Sequence, residues 1–358
     1  MTERESRAIL DRIGERLRET VDNVKEQEIT GDTIRPSHIF FPSILNKEYE
    51  KAQELKQKLL KEYEGIPLEE VINGEELKTE RGTCYRIETQ DTITLKMVSQ
   101  ERAKEKILSD LKLVYGVGEV TEWNLKAEGY DTIKDLLHHL RYGSEAAKAL
   151  AVDMGDMYSM VAWVGRWLPK SHPLILYSSS FQNRNDFIIL DIETMGLSSL
   201  PIILCGVAQI SGNQLFLNQY LLRTITEEPG ALSAFLSHTT EKSIFVTFNG
   251  KTFDIPYLKE RLAYYGLKEK LENPHVDLLH FSRRAWKTRV PDCRLTTLEE
   301  HLFGIKREND IPSALVPDFY DTYMKTGNVG PLIPIVEHNK QDIVTLVNIF
   351  SRLHQEWE

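Results

Sequence analysis

FIILDIETMGL, residues 187–197, begins with four apolar residues and then places two carboxylates, Asp191 and Glu193, one residue apart. The apolar run predicts a buried β-strand. Side chains at positions i and i+2 of a strand project to the same side, so both acids lie on one face. Two neighbouring carboxylates repel each other unless a cation lies between them. The stretch therefore predicts a central strand and raises the question whether a cation binds at its end.

The composition is that of a soluble globular protein larger than one average domain. Hydrophobic residues make up 41% and charged residues 27% of the 358 positions, which predicts two or three domains. No apolar run reaches the roughly 18 residues of a membrane span, and the charged N-terminus lacks the apolar core of a signal peptide. We therefore expect a cytoplasmic protein that has no membrane partner.

The formal net charge of −10 bears on the partners of the protein. An acidic total argues against a protein that coats nucleic acid non-specifically. It does not exclude an enzyme that binds a nucleic-acid strand at one site, because the acidic residues of an active site make the net charge of the whole chain more negative. Composition alone leaves the function open.

Three regions of the chain differ in their patterns. Residues 1–100 contain an amphipathic helix at 1–27 and an alternating stretch at 82–99 that is typical of a hairpin, and they have no assigned role beyond packing or docking a protein partner. Residues 101–170 have the pattern of helices joined by short turns. Residues 171–358 begin with strand-like runs and continue with alternating helices and strands, which predicts an α/β domain with a mixed central sheet.

Two glycines, Gly116 and Gly118, lie in a turn of LVYGVGEVTEWNLKAEGYDTIKDLL, residues 113–137. Glycines let a turn approach a phosphate closely, and the helix that follows offers free backbone N–H groups and its positive dipole end. The arrangement resembles a helix-hairpin-helix module, which positions a nucleic-acid backbone without reading its sequence. The alternative is a helical hairpin whose glycines only permit tight packing. We expect this turn to contact DNA phosphates.

The C-terminal half contains two more acidic motifs. In IFVTFNGKTFDIPYLKERLAYYG, residues 244–266, a strand ends and Asp254 precedes a helix. In PLIPIVEHNKQDIVTLVNIFSRL, residues 331–353, His338 and Asp342 lie four residues apart and share one helix face. Taken singly, Asp254 can be a helix N-cap, and the His338–Asp342 pair can be a surface or capping interaction. Their order after the first motif argues instead for a shared site.

Together the three motifs resemble those of the DEDD superfamily of 3′–5′ exonucleases. They are LDIET (190–194), FNGKTFDIPYL (248–258) and HNKQDIVTL (338–346). The resemblance covers about residues 180–355 and implies a ribonuclease H-like fold, with a mixed sheet flanked by helices. LTTLEEHLFGIKRENDIPSALVPDFYDTY, residues 295–323, is similar to the YprB-type branch of predicted exonucleases.

The resemblance implies a site with two divalent metal ions. Phosphodiester hydrolysis builds negative charge on the attacking and leaving oxygens, and two ions about 4 Å apart stabilise both. Mg²⁺ and Mn²⁺ prefer carboxylate oxygens as ligands. By this resemblance Asp191 binds both ions. Glu193 and Asp342 support one of them, and Asp254 lies nearer the other.

His338 is the candidate general base, because an imidazole titrates near neutral pH and can take a proton from the attacking water. One DEDD subgroup places a His five residues before the last Asp and another places a Tyr four before, whereas this chain has a His at the Tyr spacing. His338 can instead orient water or contact phosphate. We expect Asn249 to contact the substrate or brace the second motif, with a turn cap as the alternative.

A basic run that includes an aromatic residue, Trp286, lies between the second and third motifs, within residues 281–307. Cations interleaved with an aromatic suit a single nucleic-acid strand beside an acidic site. The alternative is a solvated charged face. The cations expected to contact the strand are Arg283, Arg284, Lys287 and Arg289.

The sequence thus predicts a metal-dependent 3′–5′ exonuclease of single-stranded or 3′-ended DNA. One alternative is an exoribonuclease or a structure-selective endonuclease on the same fold. A residue that senses the 2′-hydroxyl cannot be recognised in a sequence, so the sequence does not exclude RNA as the substrate. DNA is the favoured partner. A second alternative is a nucleic-acid-binding module that has lost catalysis, and the intact acids at all four positions argue against it.

Overall fold

The computed structural model describes residues 41–196, 199–267 and 271–357, with side chains from residue 48 onward. The amphipathic helix expected at 1–27 lies outside the described residues. No helix within the described ranges is both long and apolar enough to cross a lipid bilayer. The α-helices are α1 (Phe41–Glu62), α2 (Leu68–Val71), α3 (Gln100–Leu108), α4 (Glu119–Ala127), α5 (Gly143–Leu150), α6 (Met157–Trp167), α7 (Pro173–Ser178), α8 (Glu228–Leu236), α9 (Asp254–Tyr264), α10 (Leu278–Trp286), α11 (Leu295–Leu298), α12 (Val316–Thr326) and α13 (Leu332–Glu356).

The strands of the described residues form one mixed sheet. They are β1 (Glu75–Thr79), β2 (Gly82–Thr92), β3 (Phe187–Thr194), β4 (Ile202–Ser211), β5 (Gln214–Leu221), β6 (Ile244–Thr247) and β7 (His275–Asp277). Their order across the sheet is β1-β2-β5-β4-β3-β6-β7, and β3 runs antiparallel to β4 and parallel to β6. The predicted mixed sheet with flanking helices in the C-terminal half is confirmed, as is a mainly helical N-terminal half.

The central strand β3 is buried on both faces, which explains its uninterrupted apolar run. Phe187 and Ile189 face a core that includes Phe350 of α13, and the rings of Phe187 and Phe350 pack edge to face with centroids 5.3 Å apart. Ile188 and Leu190 face a second core on the other side of the sheet. Because α13 packs on one of these faces, the helix that carries the third acidic motif lies beside the strand that carries the first.

Two strands from the first hundred residues extend this sheet. β1 and β2 form an antiparallel hairpin around residues 80–81, whereas the alternating pattern placed the hairpin at 82–99. The alternation instead belongs mostly to the single strand β2, which pairs antiparallel with β5 from Tyr85 to Thr92. The sheet therefore joins segments that lie far apart in the sequence.

Candidate active site

β3 carries the first two acids to its C-terminal end. Asp191 lies opposite Gly206 of β4, and the pairing of β3 with β4 shifts register between Glu193 and Thr194. Such an irregularity redirects side chains at the end of a strand and is common beside active sites. The Glu193 residue is only 6% exposed. The acid pair is therefore set into the protein rather than displayed on its surface.

Asp191 is oriented by an amide on α13. Asn339 Nδ2 donates to Asp191 Oδ2 at 2.8 Å and to the Asp191 carbonyl oxygen at 3.1 Å. Gln219 Nε2 in turn donates to Asn339 Oδ1 at 3.0 Å. A β-carbon on Gly206 would lie 2.1 Å from Asn339 Oδ1, so glycine is what lets α13 approach β4 this closely. Sequence reasoning missed Asn339 and Gly206, although Asn339 directly follows His338 in the third motif.

Asp254 is the first residue of α9, and its carboxylate turns toward β3. Its Oδ1 accepts a hydrogen bond from the Ile192 N–H at 3.2 Å. The N-cap position of α9 belongs to Phe253, and no side chain caps the helix. Asp254 is therefore not a simple helix cap. The hydrogen bond that its carboxylate accepts from Ile192 connects the second motif to the first.

Asn249 lies in left-handed backbone just after β6. Its φ of 67° is a conformation in which residues other than glycine and asparagine are uncommon. The Asn249 N–H donates to Asp277 Oδ1 at 2.8 Å, and the Lys251 N–H donates to Asp277 Oδ2 at 3.1 Å. Asp277, which sequence reasoning missed, thus holds the loop of the second motif in shape.

His338 and Asp342 share one face of α13, as their spacing predicts. His338 Nδ1 lies 2.6 Å from Asp310 Oδ1, while Nε2 lies 3.2 Å from Ser313 Oγ and 3.7 Å from Asp342 Oδ2. A proton on Nδ1 that is donated to Asp310 leaves Nε2 as the acceptor of the neutral ring. Burial opposes the imidazolium, but the hydrogen bond to Asp310 and the charges of Asp342 and Asp310 outweigh it and raise the pKa of His338. Asp310 was not among the predicted residues.

Arg307, the last residue of the basic run, is buried and contacts the third motif, which the run itself did not predict. Arg307 donates to Glu299 from Nε at 2.6 Å and from Nη2 at 2.7 Å, and Nη2 also contacts Asp342. Glu299 opens a π-helical turn, Glu299–Phe303, that follows α11, and its carboxylate also accepts from Thr345 Oγ1. Such turns occur frequently at functional sites. Arg307 is therefore a fixed cation beside the acids.

Burial raises the pKa of all four acids, and at three of them the charges of other acids in the group add to the rise. Burial is the largest cause at Asp191, and the charges of Asp342, Glu193 and Asp254 add to it, so that its pKa lies well above the ordinary value. Burial and the charges of Asp342 and Asp254 have the same effect on Glu193. Burial raises the pKa of Asp254 to about 7 and also raises the pKa of Asp342. The structure thus brings the four predicted acids into one electrostatic cluster.

The donor chemistry of this cluster fits hard divalent cations. The buried Glu193 carboxylate makes no hydrogen bond or ion pair with any residue that the structure describes. A buried carboxylate is costly unless a cation compensates it, and carboxylate oxygens are the ligands that Mg²⁺ and Mn²⁺ prefer. Across the described ranges, no group of three or more His, Cys, Asp or Glu side chains is already arranged to hold a metal ion, and Asp342 is engaged by Arg307 instead.

The third motif opens onto a cleft of ≈ 1090 Å³. Of the four acids, Asp342 lines this cleft. The first described helix, α1, contributes Glu48 and Lys51 to the same lining, so this helix lies beside the candidate site. Other lining residues that bear on function are Asn249, Arg283, Arg307, Asp310, Ser313 and His338.

Three residues of the predicted basic run lie in different surroundings. Arg283 lines the cleft. Arg283 and Lys287 also affect the pKa of the Cys293 thiol. Burial raises that pKa, and the positive charges of the two residues lower it in part. Arg284 lies near His172 instead. Burial, together with the positive charges of Arg284 and Lys112, lowers the pKa of the His172 imidazole to about 4.

Trp286 and Arg289 contact the C-terminal end of α13. Trp286 is 1% exposed, and its Nε1 donates to Glu356 Oε2 at 3.0 Å. Arg289 forms an ion pair with the same carboxylate. The expectation that Trp286 suits a nucleic-acid strand is wrong, because its ring is packed inside the protein. An aromatic residue within a basic run does not reveal from sequence alone whether its ring is buried.

The turn with two glycines precedes α4, and Gly118 occupies the N-cap position. Gly116 has a φ of 84°, which favours glycine, whereas Gly118 has a φ of −99° and an added β-carbon there would meet nothing within 4 Å. Glu122 turns inward and accepts from the Leu111 N–H at 3.0 Å. Trp123 is 72% exposed. The start of α4 is therefore open to a ligand.

The sheet topology and the clustered acids define the class of the C-terminal domain. Residues 188–354 match the model of the RNase H superfamily, and this part of the chain is an RNase H superfamily domain. Nucleases of this superfamily act on nucleic acid and generally use divalent metal ions.

One curated relative is similar to about half of the chain. The uncharacterized protein YprB of Bacillus subtilis (strain 168) is 32% identical to this chain over 191 residues. The matched residues are 52% of this chain and 45% of the relative, so the similarity spans less than half of that protein's length.

Proposed function

We propose that this protein is a metal-dependent 3′–5′ exonuclease that hydrolyses phosphodiester bonds of single-stranded or 3′-ended DNA. The observation that carries the proposal is the cluster of acids from three elements: Asp191 and Glu193 from β3, Asp254 from α9 and Asp342 from α13. The resemblance of their motifs to those of the DEDD exonucleases supports the exonucleolytic direction. Membership of the RNase H superfamily supports a nucleic-acid substrate.

The four acids are the residues that would hold two Mg²⁺ or Mn²⁺ ions. When bound, the ions would stabilise charge on the attacking and leaving oxygens of the phosphodiester. Asn339 keeps the Asp191 carboxylate in one orientation, and the Ile192 N–H does the same for Asp254. Ligands that are oriented before the reaction need no rearrangement during it.

We assign proton transfer to His338. Its Nε2 lies 3.7 Å from Asp342 Oδ2, and in this proposal it accepts a proton from the attacking water. Asp310, 2.6 Å from Nδ1, fixes the ring and stabilises the imidazolium that results. A base that is oriented by a carboxylate on its other nitrogen is a recurring arrangement in hydrolases.

The cleft supports a single strand as the substrate. Its volume of ≈ 1090 Å³ is at the upper end of small-ligand pockets, which suits the end of a strand better than an intact duplex. Arg283 and Lys51 in its lining offer positive charge to the phosphates. In this proposal the glycine turn holds the DNA backbone at a second point, as a helix-hairpin-helix does.

The proposal is tested by incubating 5′-labelled single-stranded DNA, duplex DNA and RNA with Mg²⁺, with Mn²⁺ and with EDTA. We expect a descending ladder from single-stranded DNA that requires metal. One discrete internal product would identify a structure-selective endonuclease, and a ladder from RNA alone would identify an exoribonuclease. Binding without any product would identify a module that lacks catalysis.

Gly118→Ala is expected to weaken DNA binding by about 2- to 10-fold without changing the fold. The space around Gly118 is open and its φ is negative, so alanine fits the protein, but the methyl group would hold a phosphate away from the N–H groups of α4. Fluorescence anisotropy of a labelled oligonucleotide in EDTA measures the affinity. Gly165→Ala, at another open glycine, is the control, and equal affinities for both variants would assign the turn to packing alone.

A further inference from the structure

Arg307 is held by partners that leave one nitrogen of its guanidinium with long contacts only. The Glu299 carboxylate engages Nε and Nη2 in a bidentate ion pair whose side chains are 8% and 1% exposed. Nη2 also donates to Asp342. A bidentate pair fixes the plane of a guanidinium, because both N–H directions are specified. The position of the remaining nitrogen, Nη1, is therefore set by the fold.

Nη1 carries two N–H groups and lacks a good acceptor. Its contact to Asp310 Oδ2 is 3.4 Å, whereas charge-assisted hydrogen bonds are about 2.7–2.9 Å long. His338 Nδ1 lies 3.3 Å from Nη1, but that nitrogen donates its proton to Asp310 and cannot also accept one. Arg307 lines the cleft together with His338 and Asp342. A buried charged donor at this place has the chemistry to bind an anion.

We propose that Nη1 of Arg307 binds a non-bridging oxygen of the phosphodiester that lies beside Asp342. This inference rests on the proposed function and names the residue that recognises the charge of the substrate. Arginine suits the task because its planar fork binds Glu299 on one side and phosphate on another, which a lysine ammonium cannot do in the same geometry. Since Glu299 neutralises the charge of Arg307, the guanidinium does not replace a metal ion, and its contribution is directional.

The test compares single-stranded oligonucleotides in which one of the last three 3′ linkages is either a phosphodiester or an uncharged methylphosphonate. Affinity is measured by fluorescence anisotropy in Ca²⁺, so the readout does not depend on hydrolysis. We expect the wild type to prefer the charged linkage at one position. Arg307→Lys and Arg307→Gln should reduce that preference by about 10- to 100-fold.

Loss of Arg307 alone leaves Glu299 buried without its partner, which destabilises a protein strongly. The double variant Arg307→Gln/Glu299→Gln is therefore measured beside the single variants. Arg223→Gln is the matched control, because Arg223 pairs with Glu227 and does not line the cleft, and its preference should equal that of the wild type.

Two outcomes overturn the assignment of Arg307. One is an unchanged preference in the folded Arg307 variants, and the other is a wild type that shows no preference at any of the three linkages. An Arg307-dependent preference in a protein that hydrolyses nothing with Mg²⁺ or Mn²⁺ would overturn the proposed exonuclease activity and leave the phosphate contact standing.

Discussion

Replacing Asp191 with Asn is expected to lower hydrolysis at least about 1000-fold while it makes the metal-free protein more stable. Activity falls because a neutral amide is a poor substitute for the anionic oxygens that hard cations bind. The shape of the side chain is preserved, and its oxygen can still accept the hydrogen bond that Asn339 Nδ2 now makes to Asp191 Oδ2 at 2.8 Å. The rate of 3′-end shortening of labelled single-stranded DNA measures the loss.

The stability change has the opposite sign because the charged Asp191 destabilises the folded state. Burial, and then the charges of Asp342, Glu193 and Asp254, raise its folded pKa above the unfolded value. Such a group contributes stability fully below its unfolded pKa and loses that contribution as the pH rises through the folded pKa. In EDTA, stability should fall as the pH rises through the folded pKa, and it should fall less for Asp191→Asn. Thermal unfolding in EDTA at alkaline pH should therefore give the variant the higher Tm.

Asp186→Asn is the matched control for this experiment. Asp186 immediately precedes β3, at the opposite end of the strand from the acid cluster, so the same chemical change should leave both activity and Tm unaltered. An Asp191→Asn protein that hydrolyses DNA at the wild-type rate would remove Asp191 from the proposed metal ligands. A variant that loses activity and also melts earlier in EDTA would make Asp191 a structural residue.

Replacing His338 with Ala is expected to lower the turnover rate about 100- to 10 000-fold, which is the usual contribution of general acid–base catalysis. The ring is held at Nδ1 by Asp310, and its Nε2 lies beside Asp342, so its loss removes the proton acceptor and leaves the four acids in place. Metal affinity should change by only a few-fold. Single-turnover hydrolysis and calorimetric titration with Mn²⁺ measure the two quantities separately.

His354 supplies a control on the same helix. It is buried, lies 3.0 Å from Ser179 Oγ through Nε2 and accepts at Nδ1 from the Val98 N–H at 3.4 Å. His354→Ala should therefore lower Tm and leave turnover of the folded fraction near the wild-type value. If His338→Ala hydrolyses DNA within about threefold of the wild type, the proton acceptor is another group, and His338 orients water or phosphate instead.

Local sequence patterns were sufficient to predict the elements that carry the acids. The strand around Asp191, the helix that begins at Asp254 and the helix face shared by His338 and Asp342 each depend on neighbours within a few residues. The mixed sheet followed from the succession of strand-like and helical runs. That the three motifs lie close together in space was predicted from the resemblance of their order to that of the DEDD exonucleases. No local pattern in the sequence carries this information.

The residues that arrange the acids could not be predicted in the same way. Asn339 contacts Asp191 across 148 positions of sequence, and Arg307 contacts His338 across 31. Both contacts arise from tertiary packing, which leaves no periodic signal in the chain. Gly206 is informative only once α13 is known to lie against β4, and Trp286 was misinterpreted because composition does not specify which side of a helix is buried.

Because β2 pairs with β5, a segment from the first half of the chain covers an edge of the sheet. β5 contributes Leu217, Tyr220 and Leu221 to the buried cores. Without β2 it would present a row of unpaired backbone N–H and C=O groups to which a strand of another molecule can add. A chain shortened to residues 188–354 would keep every acid of the proposed site and would be prone to aggregate along that edge. The chemistry and the solubility of this protein therefore depend on segments that lie far apart in its sequence.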